Sequence, residues 1–201
     1  MFTGIVQGVG SIVAATPSRD GVRLTISVGA LDVSDVAVGD SIAVDGCCLT
    51  VVALHRDAFA FDVSAETLRC TAPFTAGRRV NLEKSLRLAD RLGGHLVLGH
   101  VDGVGTVTDF RPVVDSDAAG SHHLEIEAPI GLAQFIAAKG AIAVHGISLT
   151  TNTVEGTRFA VNLIPHTLDV TTLKDLAPGA AVNLEVDIVA RYVARLAAYG
   201  R

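Results

Sequence analysis

A chain of 201 residues, 49% hydrophobic and 18% charged, has enough apolar material for one large core or two of about 100 residues each, which excludes wholesale disorder. The formal charge of −5, with no run of Lys or Arg, excludes the basic stripe of a nucleic-acid binder. No apolar segment approaches the length that spans a bilayer, and the opening MFTGIVQG lacks the basic and apolar regions of a signal peptide. The expectation is therefore a soluble cytoplasmic protein with neither nucleic-acid nor membrane partner. Three cysteines, two of them the adjacent Cys47 and Cys48 facing opposite sides of a strand, suit free thiols rather than a disulfide framework.

In chain order the local signals are those of short strands. GSIVAAT (10–16) and VRLTISV (22–28) are rich in β-branched residues and are separated by the turn SRDG. A weak helical interlude near 31–37 precedes DSIAVDG (40–46), CCLTVVAL (47–54) and AFAFDVS (58–64), which are punctuated by Gly, Asp and HRDA. The second half offers GTVTDF, HHLEIEA, a short helix over 130–139, then GAIAVHG, SLTTNTVEG and RFAVNLI. DIVARYVARLAAYG closes the chain, with Ile188, Val189, Tyr192, Val193 and Leu196 at helical spacing and Arg191 and Arg195 on the other side. Such a helix has no core of its own and must pack on a barrel or on a partner chain.

The halves repeat each other. GIVQGVG (4–10) matches GHVDGVG (99–105), and VDGCCLTVV (44–52) matches VHGISLTTN (144–152). FAFDVSAETLRCT (59–71) matches FAVNLIPHTLDVT (159–171), and VNLE occurs at 80–83 and 182–185. Four matches in one order, at offsets between 95 and 102, predict two similar domains, 1–95 and 96–187, followed by the helix of 188–201. About six short strands per copy, with turns every 8–12 residues, predict an all-β fold of two small closed barrels.

Cys48 and Ser148, Thr50 and Thr150, and Thr67 and Thr167 occupy equivalent places in the copies. Residues 48 and 50 share one face of a strand, and the preceding glycine lets backbone approach a ligand closely. Each copy thus offers a hydrogen-bonding slot for a flat polar molecule carrying hydroxyls. Purely structural threonines would have drifted apart in two copies, and these have not. His100, His145 and His166 stand where the first copy has Ile5, Asp45 and Glu66. His95 and His100, five apart on extended chain, face opposite ways, so no metal site is expected, and His122 and His123 are read as solvent-facing in the loop DSDAAGSHH. Neither a phosphate-binding glycine loop nor a Ser-His-Asp arrangement is legible.

At MFTGIVQ, GCCLTV, ETLR, GGHLVLGHVDG, GISLT, LIPHTL and VNLEVD the chain resembles the α-chain type of the riboflavin synthase family, built from two lumazine-binding domains, from Met1 to about Arg195. The resemblance implies two tandem six-stranded Greek-key barrels and a C-terminal helix that assembles a homotrimer. It implies a transferase without metal or organic cofactor. Two molecules of 6,7-dimethyl-8-ribityllumazine exchange a four-carbon unit, giving riboflavin and 5-amino-6-(D-ribitylamino)uracil, across the boundary between one subunit's barrel and its neighbour's other barrel.

By the same resemblance Gly4, Ile5 and Val6 join Cys48, Leu49 and Thr50 around one lumazine, with Phe2 at that pocket and the run Asp62, Val63, Ser64, Ala65, Glu66 and Thr67 beside them. Gly99, His100 and Val101 join Ser148, Leu149 and Thr150 around the other, with Asn162, Leu163, Ile164, Pro165, His166 and Thr167. Lys139 reaches a neighbour's ligand. The chemistry falls to His100 and Cys48, supported by Ser148 and Asp187. Removing a proton from an activated methyl group needs a base, which favours His100, and Cys48 either binds or adds to the ring. Many members of the family carry Asn in place of Asp45 and Asp in place of His145, and both positions are expected to face away from the ligand. A non-catalytic lumazine- or flavin-binding protein of the same fold is the alternative.

Overall fold

The computed structural model describes residues 1–113 and 120–200. Twelve strands form two closed antiparallel barrels. The first comprises β1 (Gly8–Ser18), β2 (Gly21–Ser27), β3 (Ser41–Val44), β4 (Cys47–His55), β5 (Ala58–Ser64) and β6 (Arg79–Lys84), in the spatial order β1-β2-β5-β4-β3-β6. The second repeats that order with β7 (Gly103–Pro112), β8 (His122–Glu127), β9 (Ala141–Val144), β10 (Ile147–Glu155), β11 (Arg158–Leu163) and β12 (Ala181–Val186). Short strands close because four of them bend. β1, β4, β7 and β10 each carry a register shift, at Ile12/Ala14, Val51/Ala53, Val107/Asp109 and Thr151/Thr153, and a bulge increases local twist. Alternate residues then fill each interior: Ile12, Leu24, Ile26, Phe61 and Leu82 in the first barrel, Leu124, Ile126, Phe159, Val161 and Leu184 in the second.

Several elements depart from the sequence reading. The stretch 31–37 forms turns rather than a helix, and 130–139 yields only a 3-10 turn over Ile130–Phe135, since Gly131 inside it gives little helical support. His122 and His123 open β8 and are half-buried, and the His122 ring stacks on Phe110 at 5.1 Å. Of the loop read over 115–123, residues 115–119 lie outside the described residues. Two short helices were not anticipated, α1 (Ala65–Cys70) and α2 (Pro165–Val170). The third, α3 (Ile188–Tyr199), lies where the periodicity puts it.

The barrels meet back to back at two equivalent hairpin tips. Asp45-Gly46 and His145-Gly146 have positive φ at both residues, the two-residue turn whose twist suits a tight hairpin. The tips touch so closely that a Cβ on Gly46 would stand 2.7 Å from the Gly146 nitrogen. Around them the halves exchange hydrogen bonds in mirrored pairs. Asn81 Nδ2 donates to the His145 carbonyl (3.1 Å) and Asn183 Nδ2 to that of Asp45 (2.9 Å). The Thr172 N–H donates to Asn81 Oδ1 (2.9 Å) and the Ala72 N–H to Asn183 Oδ1 (2.6 Å). Asp45 and His145 therefore do face away from the outer surface, into this junction. There Arg78 Nη2 donates to Asp45 Oδ2 at 2.7 Å and lies 3.2 Å from His145 Nε2.

Candidate active site

Cys48 and Ser148 are each the second residue of a strand that starts directly after a junction turn. Strand alternation sends Cys47, Leu49 and Ile147 into the cores and leaves residues 48 and 148 half-exposed, with Thr50 and Thr150 further along the same outer face. Burial pushes the Cys47 thiol up to about 12, so it is inert. Val63 and Leu163 also point inward, which leaves only the backbone of Leu49, Val63 and Leu163 for a ligand, while Asp62, Ser64, Asn162 and Ile164 face outward.

The two short helices supply the next part of the wall. Ser64 Oγ accepts the Thr67 N–H at 3.1 Å and caps α1, and Pro165 is the first residue of α2. Thr67 and Thr167 are thereby set on first turns rather than on strand ends. Ser64 three residues before Thr67, and Pro165 itself, are the signals in the sequence. Glu66 and His166 are exposed on the same turns. The Arg69 guanidinium holds the Glu66 carboxyl below its usual range, as Arg23 does for Asp62, so both stay ionised acceptors.

The glycine strips cross between the barrels. The Cys48 N–H donates to the Gly99 carbonyl and the Ser148 N–H to that of Gly4, both at 2.8 Å. A Cβ on Gly99 would stand 2.6 Å from the Cys48 Cβ, and one on Gly4 the same distance from the Ser148 Cβ. Gly99, His100 and Val101 thus complete a pocket of about 210 Å³ with Cys48, Thr67 and Cys70, and Gly4, Ile5 and Val6 belong with Ser148. This corrects the grouping expected from the resemblance, which kept each strip with its own repeat. The strips exchange because Phe2 and Val97 pair as a β-bridge across the junction, so each strip leaves its own barrel. Phe2 itself does not line the Cys48 pocket. It is fully buried between the barrels with Ala43, Val97 and Ala143, and Cys48 packs against that cluster.

His95 is not among the expected site residues, although GGHLVLGHVDG contains it, because its partner lies far along the chain. Its Nδ1 lies 2.7 Å from Ser148 Oγ. Burial lowers its pKa, opposed by the charge of Asp187, so the ring is neutral and can accept the serine proton. Asp187 Oδ1 accepts the Val189 N–H at 2.9 Å as the cap of α3 and reaches Ser148 only through this influence on His95. The opposite facing of His95 and His100 has a consequence: one imidazole goes to each site. Lys139, at φ 64 in an exposed turn, does not line the Cys48 pocket of its own chain. Among the described residues no cluster of His, Cys, Asp and Glu is arranged to hold a metal ion.

The profile of the Lumazine binding domain matches residues 3–85 and again 98–187. The chain belongs to the lumazine-binding domain family. Within it, the riboflavin synthase of Brucella abortus is 44% identical over 99% of both chains, and that of Mycobacterium tuberculosis is 45% identical over 98% of both. The crystal structure of LumP complexed with riboflavin superposes with a TM-score of 0.82 at 29% identity, covering 92% of this chain and 99% of that one. For a lumazine-binding family member, two family domains in one chain account for the mirrored sites. No helix among the described residues is long and apolar enough to cross a membrane.

Proposed function

We propose that the chain makes riboflavin by dismutation of two 6,7-dimethyl-8-ribityllumazine molecules, with 5-amino-6-(D-ribitylamino)uracil as the second product. The observation that carries this reading is the paired site: one chain presents the same slot twice, once with a thiol beside His100 and once with a hydroxyl bonded to His95. A reaction that joins two copies of one molecule needs two such slots, and holding reactants in register is worth up to about 7–11 kcal/mol of barrier. The atoms of the two products are those of two substrates, so no oxidant or reductant enters. His100 takes a proton from an activated methyl group of the lumazine beside Cys48. Cys48 adds to the ring beside it or binds it, and Ser148, its proton accepted by His95, adds to the ring of the other. Thr50, Ser64 and Thr67, with Thr150, Asn162 and Thr167, hold the ribityl chains, and the exposed Lys139 reaches across to a neighbour's ligand. The units are 1–95, 96–187 and the C-terminal segment from 188 onward that carries α3, in a cytoplasmic enzyme.

The assay is direct. Purified protein mixed with the lumazine should develop riboflavin absorbance. Tight binding without riboflavin would replace this reading by the alternative, a carrier comparable to LumP, whose crystal structure holds riboflavin.

A homotrimer completes the reading. The Cys48 pocket, at about 210 Å³, is too small to enclose a lumazine and calls for a second wall from a neighbour. On α3, Val189, Tyr192, Val193 and Leu196 are all more than half exposed, an apolar stripe that a partner would cover. Leu196→Glu is expected to give monomers by sedimentation and to abolish turnover, and a trimer that survives the exchange would refute this assembly.

A further inference from the structure

On the last strand of each barrel a buried glutamate accepts hydrogen bonds from the glycine strip that serves the other barrel. Glu185 Oε1 on β12 accepts the Leu98 N–H at 2.6 Å, and its Oε2 accepts those of Gly99 and His100, both at 2.9 Å. Glu83 on β6 accepts the Thr3 N–H and hydroxyl, both at 2.7 Å, and the Gly4 N–H at 3.0 Å. The held strips are those whose carbonyls receive Cys48 and Ser148. Three donors converging on one carboxylate form charge-assisted bonds that a neutral amide, with one acceptor oxygen and an NH₂ of its own, does not reproduce.

We infer that Glu185 is a positioning residue for the Cys48 site, and Glu83 its counterpart for the Ser148 site, each carboxylate fixing a wall of the slot in the opposite barrel. This deepens the dismutation reading and rests on it for the identity of the ligand. The copies differ in one instructive respect. Gln7 and Asp102 are equivalent: Gln7 Oε1 accepts the Lys84 N–H at 2.9 Å, and Asp102 Oδ2 accepts the Val186 N–H at 2.8 Å. Glu185 therefore has an anionic neighbour where Glu83 has a neutral one. Arg191 of α3 pairs with Asp102 at 2.7 Å and offsets that charge, and Cys47, neutral at its raised pKa, is a further titratable group near Glu185.

Burial, with the charge of Asp102 added, pushes Glu185 up to about 7 against the pull of its three N–H donors. Glu83 is also raised by burial. Near neutrality Glu185 exists in both forms. Its neutral form sets an O–H among three N–H donors and gives up the charge assistance, so the strip holding Gly99 and His100 loosens as pH falls through about 7. The C-terminal helix enters through Arg191, whose removal leaves Asp102 to repel Glu185 unopposed.

The test uses the full chain carrying Glu185→Gln. Hydrogen exchange of the Leu98, Gly99 and His100 amides is expected to speed up about tenfold, the worth of one charge-assisted bond, with Thr3 and Gly4 unaffected. Riboflavin formation by the wild type is expected to rise with pH through about 7, a limb that Glu185→Gln flattens, Glu83→Gln retains and Arg191→Gln moves to higher pH. Wild-type protection at residues 98–100 in folded Glu185→Gln, or an unchanged limb, overturns the inference. Should that variant fail to fold, Glu185→Asp keeps the carboxylate one methylene short. Faster exchange with the limb retained supports the clamp, and wild-type exchange refutes it. If the wild type binds riboflavin without forming it, the dismutation reading alone falls, and riboflavin affinity across the same pH range then reads the clamp.

Discussion

Arg78→Met is expected to cost the fold about 3–5 kcal/mol at alkaline pH, because removing one partner of a buried ion pair leaves the other uncompensated. Asp45 is the partner left behind, and none of its surface is exposed. The loss should shrink in acid, and the reason lies in His145. Burial holds the His145 pKa below its ordinary 6.5, the nearby Arg78 lowers it further, and Asp45 raises it. In the wild type the unfolded chain takes up a proton near 6.5 that the fold refuses, so this contribution is full above that pH and is lost as pH falls. Without Arg78 one lowering influence on the imidazole is gone, while Asp45, whose carboxylate is 3.9 Å from Nδ1, and the Ala181 backbone still raise its pKa against burial, so a protonated His145 is expected to replace the missing cation. Urea unfolding across the pH range should therefore show the deficit of Arg78→Met narrowing below about 6.5, the ordinary histidine value. A constant deficit would mean that His145 stays neutral and does not replace the guanidinium, and a small one at every pH that the Asn81 N–H, at 2.8 Å, holds Asp45 adequately.

Much of this architecture is legible in the sequence, for a physical reason. The duplicated motifs fall where backbone has little freedom, at the hairpin tips Asp45-Gly46 and His145-Gly146 and at Gly4 and Gly99, whose positive φ and close contacts admit no larger residue. Strand alternation separates Cys47 from Cys48 without any knowledge of the fold. The periodicity of Ile188–Tyr199 is plain because nothing interrupts it. Illegible are the contacts between copies. Repeat comparison pairs Gly4 with Gly99 but says nothing of which barrel each strip lies against, and the Phe2–Val97 bridge decides that at long range. His95 escapes for a similar reason: its partner, Ser148, is 53 residues away. The two glutamates hide inside VNLE, which reads as ordinary strand until their carboxylates are seen to face the strips.

The crossing of the strips gives the Cys48/Ser148 difference a mechanistic meaning, and kinetics can expose it. Ser148 is bonded to an imidazole, whereas among the described residues the Cys48 side chain has no hydrogen-bond partner. A hydroxyl is a weak nucleophile unless a base takes its proton, while a thiol needs less help. His95→Gln preserves a hydrogen bond to Ser148 but not the base, and it is expected to lower riboflavin formation about 10²–10³-fold with lumazine affinity nearly unchanged. Ser148→Ala should match it, and the double variant should be no worse, because the two side chains act as one unit. Losses that multiply in the double variant would show that they do not. The same logic orders the exchanges at the paired positions. Cys48→Ser installs a hydroxyl with no base bonded to it, and Ser148→Cys installs a thiol on His95, so the first exchange should be the more damaging. Equal rates for the two would mean that neither sulfur nor serine oxygen attacks the ring, and that both serve only to hold it.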